Sequence, residues 1–509
     1  MMFIVPLLVI LPLGAAFCAV AMAEVSFLKR WTGSLATLAV LANLVLAVLL
    51  FGTGDLKLFV GGWGPANTLG IEMVCDGLSK LMAVTINLVS LVSFIFAGPY
   101  MRRFTKPWLF DAILLIMIGA MNGVVLAGDL FNLFVFLEVA AIASYALVAF
   151  GCEAEELEAA FKYLVLGTVG SAFILMGVTV LYSLTGQLNM AKVHMLLPKA
   201  GLGSPAVLLA AAALLSGLAL KAAMVPFHAW LPDAHPSAPA PVSAMLSGVL
   251  IKASGVYAMA RIVFNVLGPT PQYAAILMTL GAASMLIGVL LAVGQWDLKR
   301  LLAYHSISQM GYVVLVIGAA AQVAARPSPD MALAGLCLFG GLFHLLNHAL
   351  FKSLLFLSSG SIEHQTGTRE LKKMGGLARR MKVTSFCCRV GALSIAGVPP
   401  FNGFFSKLII IVALVLTGHG VLAALAVFVA FVTLISFVKV QRYALEGPPA
   451  GLAAQACEAP ALMCAAMVIL AVLCVATGLA IVPLREHVFG PAADALLSAG
   501  RLVSMGGAP

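Results

Sequence analysis

Hydrophobic residues fall in long blocks separated by short polar stretches, and the blocks are about the ~20 residues that a helix needs to cross hydrocarbon. Fourteen such spans are predicted, at roughly 3 to 22, 32 to 51, 78 to 98, 108 to 127, 130 to 150, 160 to 182, 205 to 224, 239 to 263, 273 to 294, 301 to 320, 331 to 358, 384 to 411, 418 to 438 and 460 to 482. Four charges interrupt these blocks: Glu138 in the fifth, Lys221 in the seventh, Lys252 in the eighth and Lys407 in the twelfth. A charge at the centre of a membrane helix costs about 2.5 to 3.5 kcal/mol on insertion scales, so such residues face a polar interior and mark ion or proton paths.

Composition agrees with the pattern. The chain has 509 residues, of which 62% are hydrophobic and only 10% charged, against about 25% charged in soluble proteins. The expected fold is an all-α polytopic membrane protein. Ala21-Met22-Ala23 resembles a signal-peptide cleavage site, but no positive charge precedes the first block, and Lys29 and Arg30 follow it. That order predicts a retained helix with its N-terminus outside.

Loop charges set the topology. One set of alternate loops holds Lys29, Arg30, Arg102, Arg103, Lys106, Lys299, Arg300, the basic run from Arg369 to Lys382, Lys439 and Arg442. The other set and the tail hold only Lys57, Lys192, Lys199, Arg326, Arg485 and Arg501. The positive-inside rule then puts both termini outside. The loop from Cys152 to Glu158 is acidic and dissents, but acidic residues weigh little in that rule. The net charge of +9 is therefore a topology signal. No run joins basic and aromatic residues as nucleic-acid binding requires.

Two spans are broken by nearly the same phrase. Val225-Pro226-Phe227 follows Lys221, and Val398-Pro399-Pro400-Phe401 precedes Lys407. Proline removes a ladder hydrogen bond, and a broken membrane helix persists only where protein or a watery cavity satisfies the freed groups. The seventh and twelfth spans are an odd number apart, so they run in opposite directions, as an inverted five-helix repeat demands. The organisation read from this is an N-terminal three-helix segment at 1–107, repeats at 108–265 and 266–440, and a C-terminal helix and tail at 441–509.

Each polar residue also has a plainer role open to it. Glu138 lies eight residues into its span, about 12 Å deep at 1.5 Å per residue, too deep to reach the headgroups. Lys221 and Lys252 stand mid-span, as carriers or as static salt-bridge partners. Lys407, about eight residues past its prolines, is either a carrier or a donor to freed carbonyls. His344, His348 and Lys352 repeat every four residues and share a helix face, with Asn347 beside them. They form either a proton relay or a polar seam between helices. Lys162, near a membrane end and after an acidic loop, is either an interfacial anchor or a residue with a role, and His228 and His235 read as parts of a structured loop. The nine cysteines form no CxxC, which argues against zinc or iron-sulfur ligation. No phosphate loop is present, and no cofactor or metal is expected in this chain.

The residues also carry a resemblance. Gly128-Asp129-Leu130-Phe131-Asn132 through Glu138, Lys221 through Pro236, Asp297 through Ser306, and Gly397 through Lys407 resemble the antiporter-like subunits shared by respiratory complex I, membrane-bound hydrogenases and Mrp-type cation/proton antiporters. The resemblance implies fourteen helices, two inverted five-helix units each built around a broken helix, and a central polar axis. Glu138, Lys221, Lys252 and Lys407 match the family's glutamate and three lysines, and His344 and His348 resemble its connecting relay. Ala143-Ser144-Tyr145 is similar to the D-type subunits of Mrp antiporters and to the hydrogenase-type subunits. About 27 residues follow the last predicted span, too few for the lateral helix or fused domains of the largest relatives. Lys407 departs from relatives that have a glutamate there.

Burying a lysine in low dielectric disfavours its charged form, by roughly 5 kcal/mol for a four-unit pKa depression. A carboxylate about 4 Å away returns roughly 4 kcal/mol at an effective dielectric near 20. Since the two nearly cancel, a small displacement of a Glu138 and Lys221 pair decides whether the lysine holds its proton. The expected function is a proton-translocating subunit of a redox-driven membrane complex in a bacterial or archaeal cytoplasmic membrane, its electrons carried by partner subunits. Two alternatives stand beside it: a D-type component of a stand-alone Mrp-type antiporter exchanging sodium ions for protons, and a secondary permease for a small solute.

Overall fold

The computed structural model describes residues 3–62, 70–448 and 451–498. Arg501, counted above among the tail charges, lies outside them. Twelve helices among the described residues are long and apolar enough to cross a membrane, and two shorter apolar ones, Pro205–Lys221 and Asn402–Leu416, belong to the broken spans. Together they make the fourteen crossings read from the sequence.

The ends of the helices follow from local chemistry. Asp76, Asp129, Asn189, Ser204, Thr270, Asp297 and Asp330 each cap a helix by accepting a backbone N–H three residues on, which satisfies one of the donors a helix start leaves open. Asp129 is buried, with Oδ1 taking the Asn132 N–H at 2.6 Å and Oδ2 unpartnered.

Helices Leu298–Ala324 and Met331–Thr366 and the span Ala240–Leu267 form the buried centre. Ile4–Ala23, Thr32–Leu49 and Gly420–Val440 lie at the periphery and present apolar side chains outward. Loops joined across the molecule fall into two sets. Met73 bridges Ala127 and Asp129 bridges Asn189 on one face, while Asp297 bridges Glu370 on the other. This is the alternation the loop-charge argument requires. The all-α expectation missed one small element, the antiparallel hairpin of Leu56–Phe59 with Glu72–Cys75.

Both breaks are present. The seventh span stops at Lys221, three residues before its predicted end, and resumes as the short helix Leu231–Ser237. The twelfth divides into Lys382–Ala396 and Asn402–Leu416. The Val225-Pro226 and Pro399-Pro400 peptide bonds are cis. Gly397 takes φ +83° as the chain leaves the first half-helix, a conformation open mainly to glycine.

Candidate functional site

At the first break, the Lys221 ammonium lies 3.2 Å from Glu138 Oε1. Ser171 donates a hydrogen bond to the same oxygen. Lys221 is almost wholly enclosed, whereas 27% of the Glu138 side chain is exposed. The two residues come from separate helices, Leu130–Val148 and Pro205–Lys221, so their distance depends on how those helices sit against each other.

The two broken helices differ in sequence but agree in space. Lys221 is the last residue of its half-helix. Lys407 follows its break, yet its ammonium reaches back to the Ile395 carbonyl at 2.7 Å, next to the end of the half-helix Lys382–Ala396. Both lysines therefore belong to the C-terminal end of a half-helix, where the helix dipole favours positive charge, Lys407 by bonding a carbonyl there and Lys221 as its last residue. The opposite order of lysine and proline in the two sequences does not separate the two sites. Lys407 also lies 5.1 Å from the face of the Tyr312 ring.

Between the breaks lies a run of buried polar groups. Lys252 donates to the Ser247 carbonyl. Ser247 Oγ meets Ser306 Oγ at 2.8 Å, joining the span Ala240–Leu267 to helix Leu298–Ala324. Lys352 donates to the Leu302 carbonyl and faces the Phe356 ring at 5.5 Å. His344 Nδ1 is 2.9 Å from Ser406 Oγ, one residue from Lys407. His348 has no hydrogen-bond partner on either ring nitrogen, and it lies in the electrostatic field of Lys252, Lys352 and Lys407. The polar face predicted from the four-residue spacing is thus buried and turned toward two neighbours, the half-helix Asn402–Leu416 and helix Leu298–Ala324.

The seven predicted residues form two groups. Glu138 pairs with Lys221, and no ion pair or hydrogen bond among the described residues joins that pair to Lys252. The backbones there are close: a Cβ on Gly255 would lie 2.5 Å from Ala222 Cα. Lys252, His348, His344, Lys352 and Lys407 make the second group.

Several groups escaped the sequence reading. His305 is buried, with Nε2 2.8 Å from Ser436 Oγ and Nδ1 unpartnered. Gln309, one turn further on, has both amide atoms buried and unpartnered. The signal was present, since both are polar residues inside the tenth apolar block. His235 corrects an expectation. It lies in helix Leu231–Ser237 rather than in a loop, wholly buried against Phe356 at 4.6 Å between ring centres, with neither nitrogen bonded. Lys299, counted above as a loop charge, is also buried, 2.8 Å from Glu363 and 3.1 Å from the Ala238 carbonyl. Lys162 remains exposed and paired with Glu158 and Asp233.

On the face that carries Asp297 and Glu370, a cavity of about 400 Å³ opens between Glu155, Glu158, Lys162, Asp233, Asp297, Arg300 and Arg369. Pro236 and Ser237, neighbours of the buried His235, also line it.

Residues 127–433 match a family model described as NADH:quinone oxidoreductase/Mrp antiporter, TM. The chain is 37% identical over 452 residues to the N subunit of the NADH-quinone oxidoreductase of Desulforudis audaxviator, covering 87% of each chain. It is 35% identical over 410 residues to the D subunit of the Na(+)/H(+) antiporter of Alkalihalophilus pseudofirmus, covering 80% of this chain and 79% of the other. In structure it is similar to a chain of the Mrp complex from Dietzia sp. DQ12-45-1b, with a TM-score of 0.88 at 28% identity, over 99% of this chain and all of that one.

Proposed function

Because the chain belongs to the membrane-subunit family shared by NADH:quinone oxidoreductases and Mrp antiporters, we propose that it translocates protons as one subunit of a redox-driven membrane complex. Glu138, Lys221, Lys252, His344, His348, Lys352 and Lys407 are the groups we place on the path, with repeats at 108–265 and 266–440 supplying one broken helix each.

The observation that carries this reading is the Glu138 and Lys221 pair at 3.2 Å, held between two helices at the end of a broken one. The lysine is enclosed and its only carboxylate partner among the described residues is on another helix, so a shift between those helices changes the stability of its charge. Beyond the pair, His348, His344, His305 and Gln309 present buried polar atoms without protein partners. Interiors rarely leave such atoms unmet, and ordered water is the usual partner. A hydrated run from Lys252 to Lys407 gives a released proton somewhere to go.

A second reading, a component of a sodium/proton antiporter, draws support from the fit to the Mrp complex chain. The identities of 37% and 35% to the two kinds of relative favour neither strongly. Purification of the intact complex with identification of its subunits separates the two: redox subunits support the first reading, and small antiporter subunits with sodium-dependent proton uptake support the second. In either assembly, Lys221→Ala is expected to lower proton movement at least tenfold; undiminished movement with normal assembly removes Lys221 from the path.

A further inference from the structure

Three loops on the face that carries Asp297 are tied into one surface. The Leu371 N–H donates to the Trp296 carbonyl at 2.9 Å, and the Gly376 N–H to the Glu446 carbonyl at 2.6 Å. Lys439 Nζ donates to the Val293 and Gln295 carbonyls, both at 2.6 Å. The surface centres on an aromatic pair. Lys372 and Lys439 lie 4.4 and 4.9 Å from the Trp296 ring, and Tyr443 meets the same ring edge-on at 5.1 Å.

The charge here is one-sided. Neighbouring carboxylates are already engaged, Glu370 with Lys373 at 2.6 Å, Glu446 with Arg389 at 3.4 Å and Asp297 with Arg369 at 3.2 Å. Lys372, Arg379, Arg380, Lys382, Lys439 and Arg442 have no carboxylate within ion-pair distance among the described residues, and all but Lys439 are exposed. A topology signal needs only positive charge in the loop. It does not need that charge gathered around a tryptophan.

We infer that this surface is a binding site for an anionic phospholipid, its phosphate headgroup held by Lys372, Lys439 and Arg442 beside Trp296. Two features favour a lipid over a soluble anion. Tryptophan and tyrosine settle at headgroup depth, and basic clusters at helix ends select anionic lipids. The helices that lead into the site, Pro271–Val293 and Gly420–Val440, carry exposed apolar side chains in their last two turns, Leu290 and Leu291 on one, Ile435 and Val438 on the other. Acyl chains have a surface to lie on directly below the charges.

The test uses the full chain in its assembled complex, reconstituted in bilayers of equal phosphatidylglycerol and phosphatidylcholine and examined by native mass spectrometry for retained lipid. A basic residue near an anionic surface contributes roughly 1 kcal/mol, about fivefold in binding. Lys372→Gln with Arg442→Gln is expected to lower the retained ratio of phosphatidylglycerol to phosphatidylcholine about 25-fold at most. Trp296→Leu is expected to lower it without any change of net charge. The pair Arg102→Gln and Lys106→Gln, exposed on another loop of the same face, is expected to leave it unchanged. An unchanged ratio in the first two variants, or an equal fall in the control pair, overturns the site. Displacement of the retained lipid by millimolar inorganic phosphate overturns the lipid assignment in favour of a soluble anion.

Discussion

Replacing Glu138 by glutamine keeps the shape of the first pair and removes its charge. The Lys221 ammonium is 3.2 Å from Oε1, which at an effective dielectric of 20 corresponds to an attraction of about 5 kcal/mol. Lengthening that distance to about 6 Å leaves about 3 kcal/mol, and the difference of about 2.4 kcal/mol is roughly 60-fold in the proton occupancy of Lys221. The partial exposure of Glu138 makes these upper values, since solvent screens the carboxylate. In E138Q, Lys221 loses its counter-charge, while the amide oxygen still accepts from Ser171. Proton pumping by inverted membrane vesicles, followed by fluorescence quenching, is expected to fall at least tenfold, with assembly of the complex unchanged on a native gel. Because the two residues act as one unit, the double variant Glu138→Gln with Lys221→Ala is expected to pump no less than the worse single variant. Full pumping in E138Q, or strictly multiplicative losses in the double variant, refutes the coupling.

Three further outcomes are open to measurement. His348→Leu is expected to lower pumping severalfold while leaving the melting temperature nearly unchanged, because the ring makes no hydrogen bond to the protein and its removal leaves no protein group unpaired; a clear drop in melting temperature refutes this. Gly255→Ala places a methyl group 2.5 Å from Ala222 Cα, and the overpacking is expected to cost about 1 to 3 kcal/mol, read as a lower midpoint of thermal unfolding in detergent. Asp129, in the loop before its helix, has its carboxyl pushed up to about 6 by burial, against the backbone N–H bonds from Asn132 and Phe131. Since the folded state holds this proton more tightly than the unfolded chain, stability is greatest below the ordinary value of 3.8 and falls as pH rises to about 6 and beyond, by roughly 3 kcal/mol in all. Asp129→Asn keeps the cap and is expected to flatten that dependence; an unchanged slope of melting temperature against pH contradicts it.

The spans were legible because lipid makes every apolar block a physical necessity, and the fourteen crossings appear with ends shifted by up to eight residues. The breaks were legible for the same reason, since Pro226, Pro399 and Pro400 stand where a continuous helix would otherwise run. What the sequence hid is direction. Lys407 looks displaced from its break until a long, flexible side chain is allowed to reach back to Ile395, and Lys299 looks like a loop charge until Glu363, far along the chain, is brought to it. His235 reads as loop because prolines flank it, yet both lie in the short helix that buries it. The serines were invisible for another reason. A hydroxyl in an apolar block is common, and only the neighbouring helix decides whether it meets a partner.

The contact between Ser247 and Ser306 has a consequence for timing. Either hydroxyl can be the donor, and Ser306 Oγ also reaches the Leu302 carbonyl at 3.1 Å, so the pair has two senses. A proton handed across by successive hops leaves both O–H bonds reversed, and the next proton from the same side waits until both rotate back. On the proposed path the contact is a turnstile that resets after each passage. Any traffic through it is counted one proton at a time.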